Sequence, residues 1–170
     1  MPGGDCMTIA EVNGLDRQQF VAAFESIFEH SSWVAERAFE ARPFGSRDDL
    51  HRAMTAAMHA AATGEQLALL RAHPDLGTRA RLSAASSSEQ TGAGLDRLTP
   101  GQFERLQQLN TRYRARFDFP FLYAVKGSTV EDILAALERR LESDWRAEFD
   151  EALRQVTRIA RFRLTAAIDE

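Results

Sequence analysis

Two short clusters hold the residues whose types and spacing suit chemistry. The first reads Leu70-Arg-Ala-His-Pro-Asp-Leu-Gly, and the second, a few variable residues later, reads Ser86-Ser-Ser-Glu-Gln-Thr-Gly-Ala-Gly-Leu. A proline disfavours helical backbone for the residue before it, so the helix arriving from Glu65 must end near His73 and present that imidazole at an exposed helix end. An imidazole titrates close to neutrality and suits acid/base work. The other reading of His73 is a helix-terminal histidine that bonds nearby carbonyls and is favoured by the helix dipole. Glu89 and Gln90 set an ionisable acid beside an amide. Ser86-x-x-Glu89 also has the form of a capping box, so both residues have a structural reading as a helix start. A helix start is itself a site for anions, where Ser86 would meet a carboxylate or a urea oxygen while Gln90 reads an amide.

Other chemistries find less material. His30, His51, His59 and His73 form no His-Glu-x-x-His, and His51 and His59 lie about 80° apart around a helix. His73-x-Asp75 is a poor chelate, so no metal site is expected. Gly92-Ala-Gly94 is not a dinucleotide fingerprint, and no Walker or Gly-x-Ser-x-Gly sequence occurs. An enzyme built on this chain is expected to use no common cofactor.

The 170 residues, 44% hydrophobic and 27% charged, suit one soluble globular domain. The net charge of −4, without a basic stripe, argues against a nucleic-acid partner. Lys126 is the one lysine and so the one candidate for Schiff-base chemistry, and it sits where a loop is expected. A single cysteine, Cys6, excludes an intrachain disulfide. There is no apolar run of about 18 residues for a membrane span, no secretory core and no peroxisomal ending, which makes the cytoplasm the expected compartment.

The elements that must position the two clusters read as helices. Residues 1–14 are expected to be disordered or loosely packed, with residues 15–170 forming one all-α domain, a bundle of about seven or eight helices. Phe20, Phe24, Ile27 and Phe28 make an apolar stripe from Asp16 onward. Ser31 or Ser32 caps the next helix, Ser46 caps another, and Gly64 interrupts the chain before the helix that delivers His73. Thr99-Pro-Gly-Gln opens a helix carrying Phe103, Leu106, Leu109, Tyr113 and Phe117. Residues 119–125 read as a buried extended segment or a short helix, and Ser128-Thr-Val-Glu as a capping box. The last helix, from about Ser143 to Ala167, carries Trp145, Phe149, Leu153, Val156, Ile159, Ala160 and Leu164 on its apolar side.

Several of these stretches together resemble the OHCU (2-oxo-4-hydroxy-4-carboxy-5-ureidoimidazoline) decarboxylase family. They are Ser32-Trp-Val-Ala and Arg42-Pro-Phe, His73-Pro-Asp-Leu-Gly, and Ser86-x-x-Glu-Gln-x-x-Ala-Gly-Leu. They continue through Leu109-Asn-x-x-Tyr-x-x-Arg-Phe-x-Phe-Pro-Phe to Arg158-Ile-Ala-x-x-Arg-Leu. Asp118 departs from the pattern, standing where the family usually has glycine, which puts the turn beside it in question.

The resemblance implies a cofactor-independent carboxy-lyase that forms (S)-allantoin from a ureidoimidazoline carboxylate in urate breakdown, acting as a homodimer. It implies His73 as the acid/base, with Glu89 also catalytic. Substrate would be held by Pro74, Ser86, Glu89, Gln90 and the backbone of Phe121, Leu122, Tyr123, Ala124 and Val125. Arg163 is the candidate electrostatic partner of the substrate carboxylate or of Glu89, its alternative being a solvated arginine. Two rivals are a non-catalytic all-α binding module that docks a partner on residues 119–125, and the same fold acting on another ureido or imidazoline acid.

Overall fold

The computed structural model describes residues 6–77 and 84–170. The chain divides into two compact units, one of Met1–Ala72 with Thr157–Glu170 and one of His73–Val156. The described residues are all-α apart from one small pairing: nine α-helices, one 3₁₀ turn and two strands of two residues each.

In the first unit, β1 (Met7–Thr8) pairs in parallel with β2 (Ile168–Asp169), Met7 opposite Ile168. The segment expected to be loose is therefore ordered from Met7 onward; residues 1–5 lie outside the described residues. The reason is local. Thr8 and Glu11 close a capping box that starts α1 (Ile9–Asn13), and Val12 is fully buried. Asp16 and Gln19 do the same for α2 (Arg17–Phe24), which buries Phe20 and Phe24 edge to face at 5.0 Å.

Ser31 stands at the start of α3 (Ser32–Ala38), but its hydroxyl donates to the Glu29 carbonyl instead of capping the helix. A 3₁₀ turn, Phe39–Ala41, follows. Ser46 caps α4 (Arg47–Ala60) by accepting from the Asp49 N–H at 3.1 Å. The break before α5 (Thr63–Arg71) falls at Ala61 and Ala62, whose backbones are extended, and Gly64 lies inside the first turn of α5. Gln66 explains why alanines can end a helix here. Its buried amide donates to the carbonyls of Met58, which also accepts from the Ala61 N–H, and of His59 at the end of α4.

The second unit holds α6 (Ala84–Gly92), α7 (Pro100–Phe117), α8 (Val130–Arg140) and the first half of α9 (Trp145–Ala167). Thr99 and Gln102 box the start of α7, with Pro100 at its first position, as the sequence predicts. Leu106, Leu109, Tyr113 and Phe117 form its buried face. Asp118 ends α7 in the left-handed region at φ 62°, the conformation glycine takes most easily. Aspartate holds this backbone at a cost of about 1 kcal/mol, because a short polar side chain tolerates it better than most. Residues 119–125 are neither helix nor strand and are mostly buried, as expected of them. The capping box of α8 is Thr129 with Asp132, one residue later than the sequence pattern suggested. Trp145 is 40% exposed and not a core residue; its ring stacks on Phe149 and its Nε1–H donates to the Phe117 carbonyl.

A buried polar cluster ties these helices together. Arg140 donates through Nε to Glu148 at 2.6 Å and through Nη1 to the Leu122 carbonyl at 2.5 Å, and the Tyr113 hydroxyl donates to the same carboxylate. Burial, and then the neighbouring Glu148 carboxylate, hold the Tyr113 hydroxyl protonated far above the usual phenol range. Gly77 is fixed by space. Its φ is +70°, and a Cβ there would stand 2.5 Å from Leu106 Cδ2.

Two stability measurements follow from this packing. Glu148→Gln leaves the Arg140 guanidinium buried without its counter-charge and should lower unfolding free energy by about 3–5 kcal/mol in urea titration. A loss under 1 kcal/mol would show that the pair does not hold the fold. Gly77→Ala adds left-handed strain and overpacks Leu106, so a destabilisation of about 2–3 kcal/mol is expected. An unchanged denaturation midpoint would contradict the close contact.

Candidate functional site

His73 opens the second unit immediately after Ala72, which closes the last turn of α5. The helix ends where the following proline requires, but the imidazole is not exposed: His73 is 6% accessible. The residues after it account for the difference. Leu76 is 8% exposed, and Gly77 packs against Leu106 and Leu98, so an apolar side chain and a missing one carry the His73 segment beneath the surface.

Ser86, Glu89 and Gln90 lie within α6, which the structure describes from Ala84. Ser86 is not the residue before the helix, so the capping-box reading of Ser86 and Glu89 is overturned. Alanines at 84 and 85 are good helix formers, and the helix already covers them when it reaches Ser86. The pattern Ser-x-x-Glu instead reports a face. Ser86, Gln90 and Ala93 are buried and Glu89 is half-buried, at helical spacing, whereas Ser87, Ser88 and Thr91 point to solvent. The Gly-rich end of the motif closes the helix. Leu95 N–H donates to the Gln90 carbonyl and Gly94 N–H to that of Thr91, with Gly94 at φ +83°, the bonding of a Schellman cap.

The two sequence clusters meet at one peptide group. The Gly77 N–H donates to Gln90 Oε1 at 3.0 Å, and the carbonyl of the same peptide, from Leu76, accepts from Asn110 Nδ2 at 3.0 Å. Both amide orientations are forced. A carbonyl can only accept and an N–H can only donate, so Asn110 must present its NH2 and Gln90 its oxygen. Gln90 consequently keeps its NH2 for another partner. Arg114, one turn beyond Asn110, reaches Asp75 at 3.2 Å in an exposed pair, the kind that contributes about 0–1 kcal/mol.

Residues 121–125 are held from two helices. Arg140 takes the Leu122 carbonyl, and Gln155 Oε1 accepts the Ala124 N–H at 2.9 Å. The other end of the Gln155 amide donates to Glu151. Burial opposes ionisation of Glu151, but hydrogen bonds from Gln155 and Arg154 prevail and hold its carboxyl below the usual carboxylate range. The charge in turn sets which way the Gln155 amide faces. The Val125 carbonyl accepts from the Ser128 N–H, and the Tyr123 hydroxyl meets the Ser128 hydroxyl at 3.1 Å. The Tyr123 N–H and carbonyl make no hydrogen bond among the described residues.

His73, Pro74, Ser86, Glu89, Gln90 and residues 121–125 therefore all belong to the second unit. Arg163 belongs to the first. It is buried rather than solvated, and its Nη1 donates to Glu29 at 2.8 Å and to the Ser26 carbonyl at 2.9 Å. Among the described residues no three His, Cys, Asp or Glu side chains group so as to hold a metal ion, and no helix is long and apolar enough to cross a membrane. From the sequence, no role falls to Asn110, which stands in the Leu109-Asn-x-x-Tyr stretch, nor to Arg140 or Gln155. Their signal was there: each is a polar residue at a buried position on an otherwise apolar helix face.

The chain as a whole is similar to known proteins. The OHCU decarboxylase family model matches residues 13–165. A 2-oxo-4-hydroxy-4-carboxy-5-ureidoimidazoline decarboxylase of Haloferax volcanii is 50% identical over 158 residues, 93% of this chain and 94% of that protein. The uric acid degradation bifunctional protein PucL of Bacillus subtilis is 48% identical over 96% of this chain, which spans 33% of its length. The crystal structure of an (S)-allantoin synthase superposes with a TM-score of 0.80 at 31% identity, covering 96% of this chain and 55% of that one. With its sequence matched almost from end to end and its fold superposed on a solved relative, this chain belongs to the OHCU decarboxylase family.

Proposed function

We propose that this protein decarboxylates 2-oxo-4-hydroxy-4-carboxy-5-ureidoimidazoline to (S)-allantoin, with His73 as the acid/base. The observation that carries the reading is the bond from Gly77 N–H to Gln90 Oε1, which ties the histidine segment to the helix bearing Ser86, Glu89 and Gln90. A scaffold that merely caps two helices has no need of that link.

The substrate's carboxylate sits on a hydroxyl-bearing carbon next to a ring C=N. When its C–C bond breaks, the electron pair passes into that imine, which becomes protonated on nitrogen, and CO2 departs. The substrate is thus its own electron sink, the role a cofactor fills elsewhere. The enol-like product then loses its hydroxyl proton to become a carbonyl, and the adjacent ring carbon gains a proton on one face. His73 handles these protons, and delivery from one side fixes the S configuration. Gln90 Nε2 donates to the ureido oxygen, and Glu89 accepts from ureido or ring N–H groups. Ser86 and the Pro74 backbone fix the ring, and the open peptide groups of Tyr123 add a donor and an acceptor. A cytoplasmic, cofactor-free homodimer completes the reading.

His73→Asn tests the assignment. It should slow (S)-allantoin formation by about 10²–10⁴-fold, the usual worth of a general acid or base, with helical circular dichroism unchanged. Wild-type turnover in a folded His73→Asn variant would remove His73 from the chemistry.

A further inference from the structure

Asn110 stands in the middle of the buried face of α7, between Leu109 and Tyr113, and is 4% exposed. Its Nδ2 bonds the Leu76 carbonyl, yet its Oδ1 is buried and finds no hydrogen-bond partner among the described residues. A leucine of similar volume would fill this place without burying an unpaired oxygen. The asparagine is therefore a poor choice for packing alone, and its value must lie in the one bond it makes.

That bond acts on the peptide three residues beyond His73. Between them, Pro74 has no N–H to anchor and Asp75, among the described residues, is held by the exposed Arg114 pair. The two buried side-chain bonds on the peptide between Leu76 and Gly77, from Asn110 and Gln90, thus come from opposite sides of one rigid plane. With the Asn110 bond gone, the peptide can rotate about its Gln90 contact and carry the His73 segment with it.

We propose that Asn110 is a positioning residue for the decarboxylation. It touches no reacting atom and sets the placement of His73 through the Leu76 carbonyl. The inference rests on His73 being the acid/base, as argued above. A displaced acid/base slows the chemical step while leaving the groups that bind substrate in place, so the loss appears in kcat and not in KM.

The test uses the full chain with substrate generated fresh from urate, and (S)-allantoin followed by its circular dichroism. Rates are expressed per folded molecule, the folded fraction taken from the helical signal. Asn110→Leu removes both polar atoms at similar volume, and Asn110→Asp keeps the shape and the acceptor but loses the donor. Both should lower kcat by about 10–100-fold with KM within about twofold, as expected for a small misplacement of a catalytic group. Wild-type kcat in Asn110→Leu, the variant less prone to unfold, overturns the proposal. So does a raised KM at unchanged kcat, which would make Asn110 a binding group. An inactive wild-type chain overturns the decarboxylase reading and this inference with it, whereas an active wild type beside equally active variants overturns the inference alone.

Discussion

One peptide plane, between Leu76 and Gly77, joins the two motifs of this protein. Its carbonyl is held by the Asn110 amide from α7 and its N–H by the Gln90 amide from α6. Several features of the sequence make sense as conditions for this arrangement. Gly77 must be glycine because its backbone is left-handed and Leu106 leaves no room for a Cβ. Gln90 must lie on the buried face of α6, and the Schellman cap from Gly94 and Leu95 stops that helix one turn later. The proline after His73 ends the incoming helix so that the chain can turn inward at all.

The same device recurs at residues 121–125. A segment that is neither helix nor strand has backbone groups that nothing in its own sequence can satisfy. Here the long side chains of Arg140 and Gln155 reach two of them, and each is braced in turn by an acid: Glu148 for Arg140, Glu151 for Gln155. Such a segment gains rigidity without using all its hydrogen-bonding capacity internally. The Tyr123 N–H and carbonyl make no hydrogen bond among the described residues.

Much of the scaffold was legible because its signals are local. The capping box at Thr99, the cap at Ser46 and the apolar stripes of α2 and α7 each depend on residues within a turn or two of one another. The histidine and the Glu-Gln pair stand out by residue type and by resemblance. What escaped depends on distant contacts. His73 reads as exposed until Leu76 and Gly77 are seen to pack inward, and Met7 reads as loose until it pairs with Ile168. Ser86 and Glu89 look like a helix start because their pattern fits one, but only the three-dimensional course of α6 shows that the helix already includes them. Asn110 stands in one of the resembling stretches but without a role, Arg140 and Gln155 stand in none, and the interest of all three appears only when a polar group is found on a buried face.

The decarboxylase account is tested most directly by the chirality of the product. Urate oxidase and its downstream hydrolase generate the unstable ureidoimidazoline carboxylate in place, and this protein is then added while the circular dichroism of allantoin is followed. The account predicts an (S)-allantoin signal that appears faster than spontaneous decay and scales with protein concentration. A racemic product formed at the spontaneous rate, whatever the protein concentration, would contradict it.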